Sequence, residues 1–111
     1  MNRGCQTIYY KNGDVAFKGE WDSKILLKTL VKLDKPDYWN NKKVLVMASN
    51  TSGLCVELAR LGAEVISSEP DPYRNNFAKV QHILEKIIYD EKLKITFKSN
   101  GFFETRDIKE K

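Results

Sequence analysis

A chain of 111 residues suits one small domain with a modest core, because a chain of this length buries only part of its surface on folding. Hydrophobic residues make up 41% of it and charged residues 31%, which excludes a disordered chain. No apolar run approaches the roughly 18 residues of a membrane-spanning helix, and no apolar signal core follows Met1. We therefore expect a cytoplasmic protein with no membrane partner.

The net charge of +4 comes from scattered lysines, so it permits a polyanionic partner without demanding one. A basic nucleic-acid-binding module is an alternative that rests on this charge and on the paired aromatic residues Phe102 and Phe103. Cys5 and Cys55 are the two cysteines, and they lack the spacing of metal ligands. They predict free thiols in a reducing compartment and no metal site.

The N-terminal residues 1–42 are predicted to form a hairpin and a helix. Within residues 5–21, two apolar runs flank Asn12-Gly13, a pair that favours a primed turn with positive φ at both positions. Asp22 or Ser23 can cap the following helix, which ends before Pro36. Its apolar positions recur at helical spacing and are Ile25, Leu26, Leu30 and Leu33.

The second part, residues 43–111, alternates strands with helices. Strands are predicted at residues 43–48, 64–68 and 92–98. Helices are predicted at residues 53–61, with Gly62 as the C-terminal cap, and from about Pro72 to Glu91. This order predicts an α/β fold with a Rossmann-like parallel half-sheet of three strands and two helices.

The hydrophobic patterns of the strands differ. Residues 44–48 are continuously apolar, which is typical of a central strand, whereas residues 93–97 alternate and are typical of an edge. Right-handed crossovers place the strands in the order third, second, first, which leaves the first strand with a free edge. We therefore expect the N-terminal half of a larger sheet, with the missing half or a second copy of the chain paired along residues 44–48.

The turn after the first strand carries the strongest functional signal. It presents backbone N–H groups at a helix start, and Glu69 follows the second strand, where an acid can accept hydrogen bonds from both ribose hydroxyls. This order indicates an adenosine-containing cofactor. A nicotinamide dinucleotide is disfavoured, because a pyrophosphate requires a glycine-rich turn and this turn contains only Gly53.

Five segments resemble the class I S-adenosylmethionine-dependent methyltransferases, and in particular the subgroup of tRNA wobble-uridine methyltransferases. They are residues 19–23 (GEWDS), 44–53, 58–63, 69–72 and 101–104. The resemblance implies that S-adenosylmethionine is the cofactor and that a tRNA, a sugar or a small molecule accepts the methyl group. The cofactor-binding residues that it implies are Ala48, Ser49, Asn50, Ser52, Gly53, Glu69 and Asn100.

The turn departs from the family pattern. Val46 stands where an aspartate is usual, which removes a charge-assisted hydrogen bond worth about 1.5–3 kcal/mol. Ala48 and Asn50 stand where glycines are usual, although asparagine tolerates positive φ. A non-catalytic module, either truncated or degenerate and acting as a fragment or a partner subunit, is therefore the alternative to an active methyltransferase.

Several candidate residues have two interpretations. Asn100 either meets the adenine edge or is a turn residue before Gly101. Trp21 either lies over the cofactor pocket, as the resemblance implies, or anchors the hairpin to the core. Cys55 is either a thiol whose pKa a helix N-terminus lowers or a core residue. No general base is identified, because His82 lies off the apolar face of its helix and is expected at the surface.

Overall fold

A computed structural model describes residues 5–30, 37–47, 50–68 and 77–98. These ranges contain a two-stranded antiparallel sheet, a three-stranded parallel sheet and helices on one of its faces. The predicted α/β class is confirmed. The elements in chain order are β1 (Ile8–Tyr9), β2 (Val15–Phe17), α1 (Ser23–Leu30), β3 (Lys43–Met47), α2 (Gly53–Arg60), β4 (Glu64–Ser68), α3 (Phe77–Glu91) and β5 (Ile95–Lys98).

The hairpin forms where the sequence predicts it, but its turn differs. Tyr10 donates its backbone N–H to Asp14 at 2.8 Å, so the loop holds three residues rather than two. Gly13 has φ +98°, whereas Asn12 keeps a negative φ and accepts the N–H of Asp14 on its side-chain oxygen at 2.9 Å. The predicted primed turn is therefore wrong, and the loop is a turn closed by a left-handed glycine.

The first helix begins as predicted, with the Asp22 carboxylate accepting the backbone N–H of Lys24 at 2.9 Å. Its apolar face is rotated relative to the prediction. Ile25 is 59% exposed, and Leu27 packs against the core instead. The side chain of Leu30 and residues 31–36, which include Leu33 and the predicted end of the helix, lie outside the described residues.

The parallel strands lie in the predicted order, β3-β4-β5. One row of the register joins Val44, Val65 and Ile95, all on the face that packs against the helices. The strand predicted to be central, β3, lies at the edge of the sheet that the described residues form. Its residues 44–46 are half-buried and Met47 is exposed. The hairpin forms a separate sheet and does not extend this edge.

Helix α2 is the central element of the core. Val56 faces one cluster, in which it meets Ile8 of the hairpin and residues of α3. Cys55 and Leu58 face a second cluster with strands β3 and β4. A short helix buried on nearly all sides depends on tertiary packing for its stability, because eight residues are too few to be helical alone.

A network of ion pairs and hydrogen bonds joins the hairpin to helices α2 and α3. The Arg60 guanidinium donates two hydrogen bonds to the Glu91 carboxylate, at 2.9 and 2.7 Å, and one to Glu57 at 3.0 Å. It also donates to the backbone oxygen of Tyr9 at 2.8 Å. Burial raises the pKa of Glu57, while the charge of Arg60 opposes that rise. Arg60 therefore compensates two carboxylates and one carbonyl that are largely removed from water.

Replacing Arg60 with methionine keeps most of the side-chain volume and removes every one of these bonds. We expect Arg60→Met to lower the free energy of unfolding by about 3–5 kcal/mol, because two partly buried carboxylates lose their counter-charge. The matched control is Lys86→Met, since the Lys86–Asp90 pair is exposed and is worth below about 1 kcal/mol. Urea denaturation of both variants measures the difference, and equal losses would contradict the structural role of Arg60.

Candidate functional site

The turn between β3 and α2 is described from Asn50 onward. Asn50 (φ +58°) and Ser52 (φ +67°) both adopt the left-handed conformation that glycine ordinarily supplies. The Asn50 side-chain oxygen accepts the backbone N–H of Thr51 at 2.7 Å, a local bond that helps asparagine to adopt this conformation. The expectation that Asn50 tolerates positive φ is confirmed.

Residues 5–7 lie directly on this turn. Gln6 donates its backbone N–H to the Thr51 hydroxyl at 2.9 Å, and that hydroxyl donates to the Gln6 carbonyl oxygen at 2.6 Å. The Gln6 side-chain oxygen accepts the backbone N–H of Leu54 at 2.8 Å. This contact caps α2, whose N-cap residue Ser52 makes no capping bond with its own side chain. The chain itself thus satisfies one of the backbone N–H donors at the start of α2.

Gly53 is required by a contact within the chain. A Cβ atom at this position would overlap the backbone oxygen of Thr7 and lie 3.1 Å from the Cβ of Ser23. The side chains of Thr51 and Ser52 have no exposed surface. Asn50 is half-buried, so it is the residue of the described turn that solvent and a ligand can reach. In the described turn, Asn50 is therefore partly open to solvent, whereas Gly53 is enclosed by Thr7 and Ser23.

A buried cluster of polar side chains lies beneath the turn. The hydroxyls of Ser52 and Ser67 are 2.9 Å apart, and the Cys55 thiol hydrogen-bonds to both. Burial nevertheless raises the pKa of Cys55 to about 11, since desolvation of the thiolate outweighs these bonds. Cys55 is therefore a core residue, and the alternative of a thiol with a lowered pKa is wrong.

Strands β3 and β4 end side by side, with Met47 opposite Ser68 in the register. Three of the seven residues predicted to bind the cofactor are described: Asn50, Ser52 and Gly53 share the turn that begins three residues after Met47. The other four, Ala48, Ser49, Glu69 and Asn100, lie outside the described residues. Glu69 follows Ser68 directly in the sequence.

The remaining candidates have clear positions. The Trp21 side chain is 54% exposed, while its backbone bonds to Cys5 and Thr7 at 2.9 and 2.8 Å, so it anchors the hairpin through its backbone. His82 is exposed, as predicted. Both cysteines are free thiols, which is also confirmed.

Sequence reasoning missed Gln6 and Thr7, which cover the turn, and Thr51, the turn residue to which Gln6 bonds. Gln6 contacts residues 45 and 48 positions away. No local pattern marks such a residue, because capping signals are read from the residues adjacent to a helix start.

No protein-family model matches the chain, and a search of curated proteins found no relative. Within the described ranges, no helix is long and apolar enough to cross a membrane. In the same ranges, no three side chains of the types His, Cys, Asp and Glu lie close enough together to hold a metal ion.

The raised pKa of Cys55 predicts a specific loss of stability at alkaline pH. Above pH 9 the thiol ionises in the unfolded chain but stays protonated in the folded one, so the free energy of unfolding falls as the pH rises from about 9 to 11. Because the pKa of Cys55 rises from 9.0 to about 11 on folding, this loss is limited to about 2–3 kcal/mol. Cys55→Ser is the control, because a serine fits the hydroxyl cluster and does not ionise there. Urea denaturation at each pH measures the free energy of unfolding of the unchanged protein and of Cys55→Ser. If the two free energies change with pH in parallel, the raised pKa of Cys55 is contradicted.

Proposed function

We propose that this chain forms the S-adenosylmethionine-binding half of a class I methyltransferase. One observation carries the proposal: Asn50 and Ser52 both adopt positive φ, in the turn where the resembling family uses glycines. The turn thus has a conformation suited to a glycine-rich loop although its sequence has lost most of the glycines. The order of elements supports the same interpretation: β3 leads into the turn, α2 follows the turn directly, and β4 then pairs in parallel with β3.

The residues proposed to hold the cofactor have separate roles. Asn50 comes three residues after the end of β3, at the edge where ligands bind in open parallel sheets, and its backbone is proposed to contact the cofactor. Glu69, as the residue after β4, is proposed to accept hydrogen bonds from the ribose hydroxyls. When bound, the cofactor supplies an electrophilic methyl group, and the contribution of the protein is to hold and orient it. A tRNA, a sugar or a small molecule in the cytoplasm remains the proposed class of acceptor.

A second candidate function, a non-catalytic partner module, has an observation of its own. Thr7 fills the space over Gly53, and Gln6 occupies the backbone N–H of Leu54. Val46 is half-buried among core residues, at the position where the family uses an aspartate to hold the cofactor. In this alternative the free edge of β3 pairs with a strand of a second copy or of another polypeptide, and the turn has only a structural role.

Calorimetric titration of the full chain with S-adenosylmethionine and S-adenosylhomocysteine tests the first proposal. We expect saturable binding, and we expect Glu69→Ala to weaken it by about 1–3 kcal/mol, since it removes hydrogen bonds to a charged group. The matched control is Glu64→Ala, because Glu64 is an exposed acid at the opposite end of the strand that precedes Glu69. Binding by Glu64→Ala should equal that of the unchanged protein.

The outcomes separate the two candidates. Absence of binding at millimolar cofactor contradicts the methyltransferase proposal. Sedimentation and thermal melting of the same sample then test the second candidate. A monomer that melts cooperatively at a typical mesophilic temperature contradicts it, because the sheet is then stable without a further strand along β3. Binding that Glu69→Ala leaves unchanged would mean that the ribose contact is assigned to the wrong residue.

A further inference from the structure

A cavity of about 480 Å³ lies at the end of the parallel sheet opposite the proposed cofactor site. It is bounded by the ends of α2 and α3 and by the residues that lead into β4 and β5. Its volume falls in the range of small-molecule sites, roughly 300–1,000 Å³. The small residues Ala59, Gly62 and Ala63 form part of its wall, which leaves room for a ligand.

The cavity has an excess of positive charge. Lys11 of the hairpin loop and two lysines of the link between α3 and β5, Lys92 and Lys94, line it, and all three are exposed. Among the residues that the structure describes, none of these lysines forms an ion pair with a carboxylate. The remaining charged groups of the lining, Arg60 and Glu91, form an ion pair, and Arg60 also pairs with Glu57, so this network adds one negative charge against the three lysines.

The ends of two helices also face this region, and their partial negative charges weigh against an anion. Two helix C-termini together contribute roughly one negative charge, which three ammonium groups outweigh. Two carbonyl oxygens at the end of α2 already accept hydrogen bonds: that of Ala59 from the backbone N–H of Gly62 at 2.9 Å, and that of Leu58 from the backbone N–H of Ala63 at 3.4 Å. The cavity therefore keeps a positive potential that attracts anions.

The residue directly after α3 supplies one of these lysines. Lys92 (φ +56°) ends the helix in the left-handed conformation, with the backbone N–H of Leu93 bonded to the Ile88 oxygen at 3.1 Å. A lysine in this conformation costs stability that a glycine would avoid. Asn40 and Asn41 supply side-chain amide donors to the same lining.

We propose that this cavity binds a small molecule carrying one or more phosphate groups. Three lysines from two segments line a space that holds more than a single phosphate, and lysine is a common phosphate ligand. A concave site of this volume suits a small phosphate ester better than a nucleic acid, whose binding surface is extended. The site is separate from the proposed cofactor site and does not depend on it.

The test is calorimetric titration of the full chain with inorganic pyrophosphate at low ionic strength. We expect saturable binding that Lys92→Gly weakens about tenfold, because it removes one charge-assisted contact. A glycine also accepts the left-handed conformation, so this variant should melt at the same temperature as the unchanged protein or above it. Loss of binding in Lys92→Gly is then not attributable to unfolding.

The matched control is Lys28→Gln, which removes one exposed charge on α1, away from the cavity. We expect its affinity to match that of the unchanged protein. Equal weakening in Lys28→Gln and Lys92→Gly would overturn the proposal, since it would show diffuse charge attraction. No saturable binding of pyrophosphate would overturn it too. Binding of a single-stranded RNA that pyrophosphate does not displace would show a nucleic-acid surface instead and would equally overturn it.

Discussion

The contact between residues 5–7 and the turn before α2 is the interaction on which the rest of this structure depends. Three hydrogen bonds and one close backbone approach join segments that are more than forty residues apart. Thr51 is both donor and acceptor in this contact and is fully buried, so loss of either partner leaves polar groups without water. The left-handed residues Asn50 and Ser52 are adjacent to it, and a turn of this kind persists when its surroundings fix it.

Other features of the fold follow from this contact. Because the hairpin lies on one end of α2, its residue Ile8 completes the cluster around Val56, and α2 is enclosed on nearly all sides. At the other end of α2, Arg60 reaches the backbone of Tyr9 and the carboxylate of Glu91. The hairpin is thus attached at both ends of the helix. Among the described residues β3 pairs with β4 alone, and its other edge takes no part in these contacts.

Much of the framework is predictable because it depends on local patterns. The bounds of β4, the start of α2 and the order of the parallel strands follow from apolar runs, a glycine cap and the handedness of crossovers. The hairpin turn was predicted wrongly because the Asn12 side chain bonds to Asp14, which favours a longer loop. The pKa of Cys55 was predicted wrongly in one alternative because burial, a tertiary property, outweighs the local effect of a helix start.

The candidate site was predictable only in its position. The sequence indicates a turn at the end of β3, and the structure brings Asn50, Ser52 and Gly53 together there. The sequence did not indicate that Thr7 and Gln6 would occupy part of this turn, because contacts between distant segments carry no periodic signal. For the same reason the lysine-lined cavity was not foreseen, since its lysines come from the hairpin loop and from the link between α3 and β5, which only the fold brings together.

Native-state hydrogen exchange tests most directly whether the N-terminal segment is an integral part of the fold. The amide of Gln6 bonds to Thr51, the amide of Leu54 bonds to Gln6, and the amide of Val65 bonds to Lys94 within the central strand. If the contact stabilises the whole fold, all three amides open with the same free energy, which is that of global unfolding. Exchange of Gln6 and Leu54 about a hundredfold faster than Val65 would instead show that the segment detaches independently, and would contradict this account.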